Sequence, residues 1–214
     1  MKKWSIALVL LFCGMYLFAQ SLFDLVKTGT PEQLQAAIKA GAKLDDRDTI
    51  GMTPLMRAAV FNENPAVITT LLNAGARLDD REGDGVTPLM FAASFNKNPD
   101  VITTLLNAGA RLDDRDKNGW TPLMYAAWSN ENPDVITTLL NAGAKVDDRD
   151  YYGWTPLMIA AADNENPEVI TTLLNAGADA KAKSIEGKTA FDYAQDNPKI
   201  KGTKAYWDLN NARF

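Results

Sequence analysis

The sequence predicts a mainly α solenoid, a stack of about six helix-turn-helix units joined by projecting loops. Two observations predict it. Thr-Pro-Leu occurs at Thr53, Thr87, Thr121 and Thr155, each 34 residues after the last, and Thr189-Ala190-Phe191 falls on the same period. Two glycine series keep that spacing: Gly51, Gly85, Gly119, Gly153 and Gly187, and Gly41, Gly75, Gly109, Gly143 and Gly177. A fixed period in the thirties marks stacked supersecondary units rather than one globule.

Each element of the unit follows from local physics. In Thr53-Pro54-Leu55-Met56 the Thr is a helix N-cap and the Pro suits the first helical position. Leu55, Ala58 and Ala59 then mark one face of a short first helix, where Ala permits close approach of neighbouring helices. Asn64-Pro65 repeats the cap-and-proline start. Val67, Ile68, Leu71 and Leu72 give the second helix its apolar stripe. Gly75 ends that helix as a C′ glycine. The polar run Arg77 to Glu82 projects as a loop and turns before Gly85. Helices this short cannot bury their apolar faces alone, so the units must stack.

On this reading residues 21–214 form one repeat domain, with units at about 21–50, 51–84, 85–118, 119–152, 153–186 and 187–214. The first has a less regular helix over Leu22 to Lys27. In the last, Thr203 can cap a helix carrying Tyr206, Trp207 and Leu209. Residues 1–20 read as a signal peptide: Lys2 and Lys3 precede an apolar run from Trp4 to Phe18, and Ala19 offers a small residue for cleavage. That run is shorter than the roughly 20 residues a spanning helix needs, although an uncleaved anchor stays open. Cys13 reads as an apolar residue within the run, because Phe12 stands where a lipidation motif needs a small residue. The expected location is therefore outside the cytoplasm, periplasmic or secreted.

The motif Gly-x-Thr-Pro-Leu-x-x-Ala-Ala with the later Leu-Leu-Asn-Ala-Gly-Ala resembles the ankyrin repeat, over residues 22 to 202. The resemblance implies β-hairpin-like finger loops and a concave binding face built from fingers and first helices. It also implies a protein partner. There are departures. The units run 34 residues where 33 is usual, the extra residue lying in the inter-helix turn Asn62 to Pro65 and its copies. Met56, Met90, Met124 and Met158 replace the family's usual His, substituting packing for polarity. Lys43, Arg77, Arg111 and Lys145 stand where Asp is usual.

Composition removes several chemistries. Among 214 residues there is no His, and Cys13 is the one Cys, which excludes Ser-His-Asp and Cys-His catalysis, His-ligated metals and Cys redox chemistry. The formal charge is -5 and the pI about 4.8, which argues against nucleic acid as partner. Loss of Lys2 and Lys3 would make the mature charge about -7. Asp114 to Gly119 matches the opening of an EF-hand loop, but its twelfth position is Tyr125 rather than the closing Glu, so no calcium is expected. Instead Asp46, Asp80, Asp114 and Asp148, beside Arg47, Arg81, Arg115 and Arg149, read as a ladder cross-linking adjacent fingers. The carboxylate pairs recur with the period and belong to the scaffold. No enzyme activity, cofactor or metal is expected, and a monomer is.

Comparing the repeats with one another locates the candidate site. The second helix hardly varies. The first helix varies at Arg57, Phe91, Tyr125 and Ile159, at Val60, Ser94, Trp128 and Ala162, and at Phe61, Phe95, Ser129 and Asp163. The loops vary at Met52, Val86, Trp120 and Trp154, and at their tips. The aromatics at these places are Phe91, Phe95, Trp120, Tyr125, Trp128, Tyr151, Tyr152 and Trp154, and aromatics are enriched at binding hot spots. These eight are the candidate partner-binding residues, with Tyr125 and Trp128 foremost and expected to be mostly exposed. The competing reading makes some of them packing between repeats, Trp120 and Trp154 first. The function expected is an exported scaffold that binds another protein. The alternative is a periplasmic immunity or protective factor that neutralises or supports a specific enzyme.

Overall fold

The computed structural model describes residues 21–213. The reading of residues 1–20 as an export signal, Cys13 included, lies outside the described residues. Among those described, twelve helices form six successive pairs and there is no strand. The pairs are α1 (Leu22–Thr28) with α2 (Pro31–Lys39), α3 (Pro54–Phe61) with α4 (Pro65–Asn73), and α5 (Pro88–Phe95) with α6 (Pro99–Asn107). They continue with α7 (Pro122–Ser129) and α8 (Pro133–Asn141), α9 (Pro156–Asp163) and α10 (Pro167–Asn175), and α11 (Ala190–Ala194) and α12 (Lys204–Ala212). First helices pack on first helices of the flanking pairs, and second helices on second helices, as a solenoid requires. No helix among the described residues is long and apolar enough to cross a membrane.

Capping explains where the helices start and stop. Thr53, Thr87, Thr121 and Thr155 each accept the backbone N–H of the methionine three residues on, with proline at the first helical position. The methionines refine the sequence expectation. Met56, Met90 and Met124 are fully buried, yet each Sδ also accepts the backbone N–H of the capping threonine at 3.4 Å. A weak sulfur acceptor thus closes the capping box that Glu or Gln usually closes. The second helices α2, α4, α6, α8 and α10 end in Schellman motifs. In α4 the Gly75 N–H reaches Leu72 and the Ala76 N–H reaches Leu71, with Gly75 at φ +102°, a conformation that favours glycine.

One apolar cluster runs the length of the array, from Leu22 to Leu209. Ala58, Ala59 and their copies are fully buried between adjacent first helices, where a larger side chain would force the units apart. Beside this core runs a polar ladder that the repeat pattern did not suggest. Asn96 donates its amide to the carbonyls of Ala59 and Asn62 in the preceding unit, at 2.9 and 3.0 Å. Asn130 does the same to Ala93 and Asn96, and Asn164 to Ala127 and Asn130. Asn62 and Asn197 make the equivalent bonds at the two ends. These amides cap carbonyls left open at the C-terminal ends of the first helices, deep in the stack. The inter-helix turn, where the extra residue falls, is thereby bonded to the unit before it.

The fingers are built from turns rather than strands. One backbone bond crosses each loop, as from the Asp116 N–H to the Trp120 carbonyl at 3.1 Å, and a tip turn closes it. A single rung is too short to make a ladder, so the hairpin likeness stops at the turn. From the second finger on, adjacent fingers are linked by one backbone bond each, Lys117 to Asp84, Tyr151 to Asn118 and Ile185 to Tyr152. The charged ladder adds to this. Arg81 pairs with Asp114 at 2.7 Å and Arg115 with Asp148 at 3.2 Å. Each of these guanidinium groups also bonds two backbone carbonyls, one in its own finger and one in the next. The exposed ion pairs contribute about 0–1 kcal/mol each, so the carbonyl contacts set the geometry.

Candidate functional site

The finger acid organises the face formed by fingers and first helices. In the finger that precedes α7, Asp116 Oδ1 accepts the tip N–H groups of Asn118 and Trp120, both at 2.8 Å. Asp150 does the same for Tyr152 and Trp154, and Asp48 for Ile50 and Met52. One carboxylate oxygen folds the finger tip; the other is left for the first helix. Asp48 pairs with Arg57, nine residues on, and Asp116 accepts the Tyr125 hydroxyl at 2.9 Å. At Ile159 the helix has no donor, and Asp150 accepts the Trp120 indole N–H from the preceding finger at 3.0 Å. In the finger before α11, the Ser184 hydroxyl and the Tyr193 hydroxyl are 2.9 Å apart.

This pairing corrects the expectation for the position of Arg57, Phe91, Tyr125 and Ile159. The repeat comparison predicts Tyr125 to be mostly exposed. Tyr125 is half-buried and packed against the core, and Ile159 is fully buried. The residue type varies because Arg57 and Tyr125 each bond the finger acid nine residues before them, while Ile159 fills the position by burial alone. Burial, then the bond to Asp116, raises the Tyr125 hydroxyl well above the ordinary tyrosine range. For Asp48, burial is outweighed by the Arg57 guanidinium and the backbone N–H groups, and its carboxyl lies below the usual range. The nine-residue spacing of these partners is visible in the sequence, and it was the signal that could have revealed them.

The structure divides the eight aromatic candidates. Phe95, Trp128, Tyr151 and Tyr152 are exposed at 48%, 38%, 68% and 57%. Phe91, Trp120, Tyr125 and Trp154 are half-buried. Four of the eight form one chain of edge contacts: Phe95 on Trp128 at 6.5 Å, Trp128 on Trp120 at 6.0 Å, and Trp120 on Tyr125 at 5.5 Å. Trp154 instead lies on Tyr193 of the last unit at 4.1 Å, which is packing between repeats. Tyr151 lies over the neighbouring finger's Gly119. That glycine is at φ +86°, a conformation that favours glycine, and a Cβ there would come within 2.9 Å of the ring.

Phe61 belongs to the same row, although the sequence reading did not count it among the candidates. It is half exposed, with the Lys27 ammonium 5.9 Å and the Arg57 guanidinium 5.8 Å from its ring centroid. Among the described residues no group of three His, Cys, Asp or Glu could hold a metal ion. Asp114 and Asp116, which opened the EF-hand-like run, are engaged by Arg81 and by Tyr125 with the two tip N–H groups. An open cleft of 700 Å³ lies elsewhere, between α10 and α12, lined by Leu174, Ala178, Ala180, Lys204 and Asp208. There Ala180 stands at the position of Leu78, Leu112 and Val146 in other units.

No curated protein matches the chain. A family model described as ankyrin repeats, three copies, matches residues 22–116, 55–150 and 95–184. With that match over most of its length and its paired helices stacked in register, the chain belongs to the ankyrin-repeat family, whose repeats are generally protein–protein interaction modules and whose members are typically non-enzymatic scaffolds.

Proposed function

We propose that this protein is an exported scaffold that binds another protein through the face made by its fingers and first helices. One observation carries the reading: residues that differ between otherwise matching units gather on this face, and several are exposed aromatics. Selection for stacking alone would keep the units alike, as it keeps Leu71, Leu105, Leu139 and Leu173 alike in the second helices. Exposed aromatics such as Phe95, Trp128, Tyr151 and Tyr152 supply large contact area at small entropic cost. Export rests on the apolar run behind Lys2 and Lys3.

The test has two arms. Fractionation of cells making the full-length chain should find it outside the cytoplasm and shortened by about 20 residues; full-length soluble protein in the cytoplasm would refute export. Capture should then be run side by side with the wild type, a Phe95→Ala/Trp128→Ala variant and a Thr103→Ala/Thr137→Ala control on the second helices. A partner retained by the wild type and the control, and lost from the aromatic variant, supports the assignment. Equal loss in the control overturns it.

A further inference from the structure

Asp150 differs from the other finger acids in what its second oxygen does. Asp48 and Asp116 each direct that oxygen to the first helix that follows, to Arg57 and to the Tyr125 hydroxyl. Asp150 reaches back 30 residues, to the Trp120 indole N–H at 3.0 Å. Its first oxygen accepts the Tyr152 and Trp154 N–H groups and folds the tip that carries Tyr151 and Tyr152. One buried carboxylate thus joins two fingers.

Neither the finger nor the stack requires that bond. Glu82 folds its finger through one oxygen, which accepts the Asp84 and Val86 N–H groups at 2.7 and 3.5 Å. Among the described residues no donor meets its other oxygen. Ser184 folds the last finger with a hydroxyl that accepts the Glu186 N–H at 3.3 Å. At the position of Trp120 the earlier units have Met52 and Val86, buried by packing and without a side-chain donor. Those units stack with no bond of this kind.

What the bond holds is the middle of the aromatic chain. The Trp120 ring lies against Trp128 at 6.0 Å and Tyr125 at 5.5 Å, and Trp128 lies against Phe95. Without the bond the indole is free to change rotamer, and the rings resting on it lose a fixed neighbour. On the other side, the Tyr151 ring lies over Gly119, the residue before Trp120, and the Tyr151 N–H donates to the Asn118 carbonyl at 3.2 Å. Asp150 therefore stands between two groups of exposed rings, Phe95 with Trp128 and Tyr151 with Tyr152. A surface ordered in advance lowers the entropic cost of association.

We propose that Asp150 is a positioning residue of the binding face, holding the Trp120 indole so that the two groups of rings meet a partner as one preformed surface. The inference rests on that face being the binding surface, and it adds the residue that sets its geometry.

The probe is a linear peptide selected from a displayed random library on the mature chain, with the Phe95→Ala/Trp128→Ala variant as counter-selection. Trp120→Phe removes the indole donor and leaves both tip bonds of Asp150 in place. Asp150→Asn replaces the carboxylate by an amide, which cannot accept from the tip and from the indole with separate oxygens. Each change should weaken the peptide about tenfold. The double variant should bind no worse than the weaker single one, because both break the same bond. In heteronuclear spectra the Trp120 indole N–H, identified by its loss in Trp120→Phe, should exchange slowly with water in wild type. In Asp150→Asn it should shift and exchange faster, and the Trp128 and Tyr125 ring signals should move with it. Asn132→Ala, which breaks a bond at the exposed edge of the inter-helix turns, should bind the peptide as wild type does.

Peptides that need Phe95 and Trp128, yet bind Asp150→Asn and Trp120→Phe within about threefold of wild type, would overturn the positioning role and leave the face as a binding surface. Loss of binding in Asp150→Asn with none in Trp120→Phe would overturn it too, because the tip bonds alone would then be responsible. Circular dichroism shows whether Asp150→Asn folds; where it does not, Trp120→Phe decides. Peptides that ignore the counter-selection, or none at all, would overturn the face and its positioning residue together.

Discussion

The Tyr125 hydroxyl donates to Asp116, a carboxylate 6% exposed, at 2.9 Å, and so ties a first helix to the finger that precedes it. Asp116 also accepts two tip N–H groups, so one acid fixes the finger's fold and its attachment. Tyr125→Phe keeps the ring and removes the donor. It should lower stability by about 1–3 kcal/mol, as for a bond to a buried charge. Chemical denaturation at neutral pH measures this, and unchanged stability would show the bond to be dispensable.

The same bond gives an alkaline signature. Burial and Asp116 raise the Tyr125 pKa above that of an unfolded tyrosine, about 10. A raised folded value means that the folded state holds its proton more firmly. The contribution is fully present below about pH 10 and is lost as pH rises beyond it. Wild type should therefore lose stability above pH 10 more steeply than Tyr125→Phe. Parallel slopes would remove Tyr125 as the cause.

Asn130 donates to two buried carbonyls of the preceding unit and is itself 2% exposed. Asn130→Ala leaves both acceptors without that partner and should cost about 2–5 kcal/mol. Asn132 bonds the Lys97 carbonyl at the exposed edge, so Asn132→Ala should cost clearly less. Equal losses in thermal melts would contradict the assignment of the ladder to the interior.

Much of this architecture was legible. Thr-Pro starts, C′ glycines and a single period gave the helix pairs, because capping and stacking are local or strictly repeated. The Asn ladder was not legible, although Asn62, Asn96, Asn130 and Asn164 repeat in plain view. Asparagine before a second cap reads as turn chemistry, and nothing in the residue type says that its amide reaches back one unit. The aromatic site was half legible. Variation identified the face, but variation could not separate exposed Trp128 from half-buried Tyr125, since a position that bonds the finger acid in two units and is filled by burial alone in another varies just as a binding surface does.

Nearest-neighbour stacking makes a prediction about phase. Removing residues 85–118 deletes one whole period, and Asn130 then meets Ala59 and Asn62 as Asn96 did. The Arg and first-helix registers are restored likewise. Such a chain should stay helical and melt at lower temperature. Removing half a period instead should set caps against loops and unfold the flanking units. Indistinguishable circular dichroism for the two deletions would refute a stacked array.

The last prediction separates binding from packing on the aromatic face. Phe95 and Trp128 are substantially exposed and touch edge to edge, so their truncation opens no closed cavity. Phe95→Ala with Trp128→Ala should cost about 1 kcal/mol or less of stability, the range of changes away from the core. If the pair is a hot spot, binding of the captured partner should weaken by about 2 kcal/mol or more. Leu139 is fully buried in α8 and identical in the flanking units. Leu139→Ala should cost about 2–5 kcal/mol through the cavity it leaves, while binding per folded molecule stays unchanged. Tyr125→Ala should fall between, losing packing and the Asp116 bond together. Chemical denaturation of each variant, paired with retention of the partner, reads both quantities. A large stability loss in the Phe95/Trp128 variant with binding per folded molecule intact would assign those rings to the scaffold and remove them from the site.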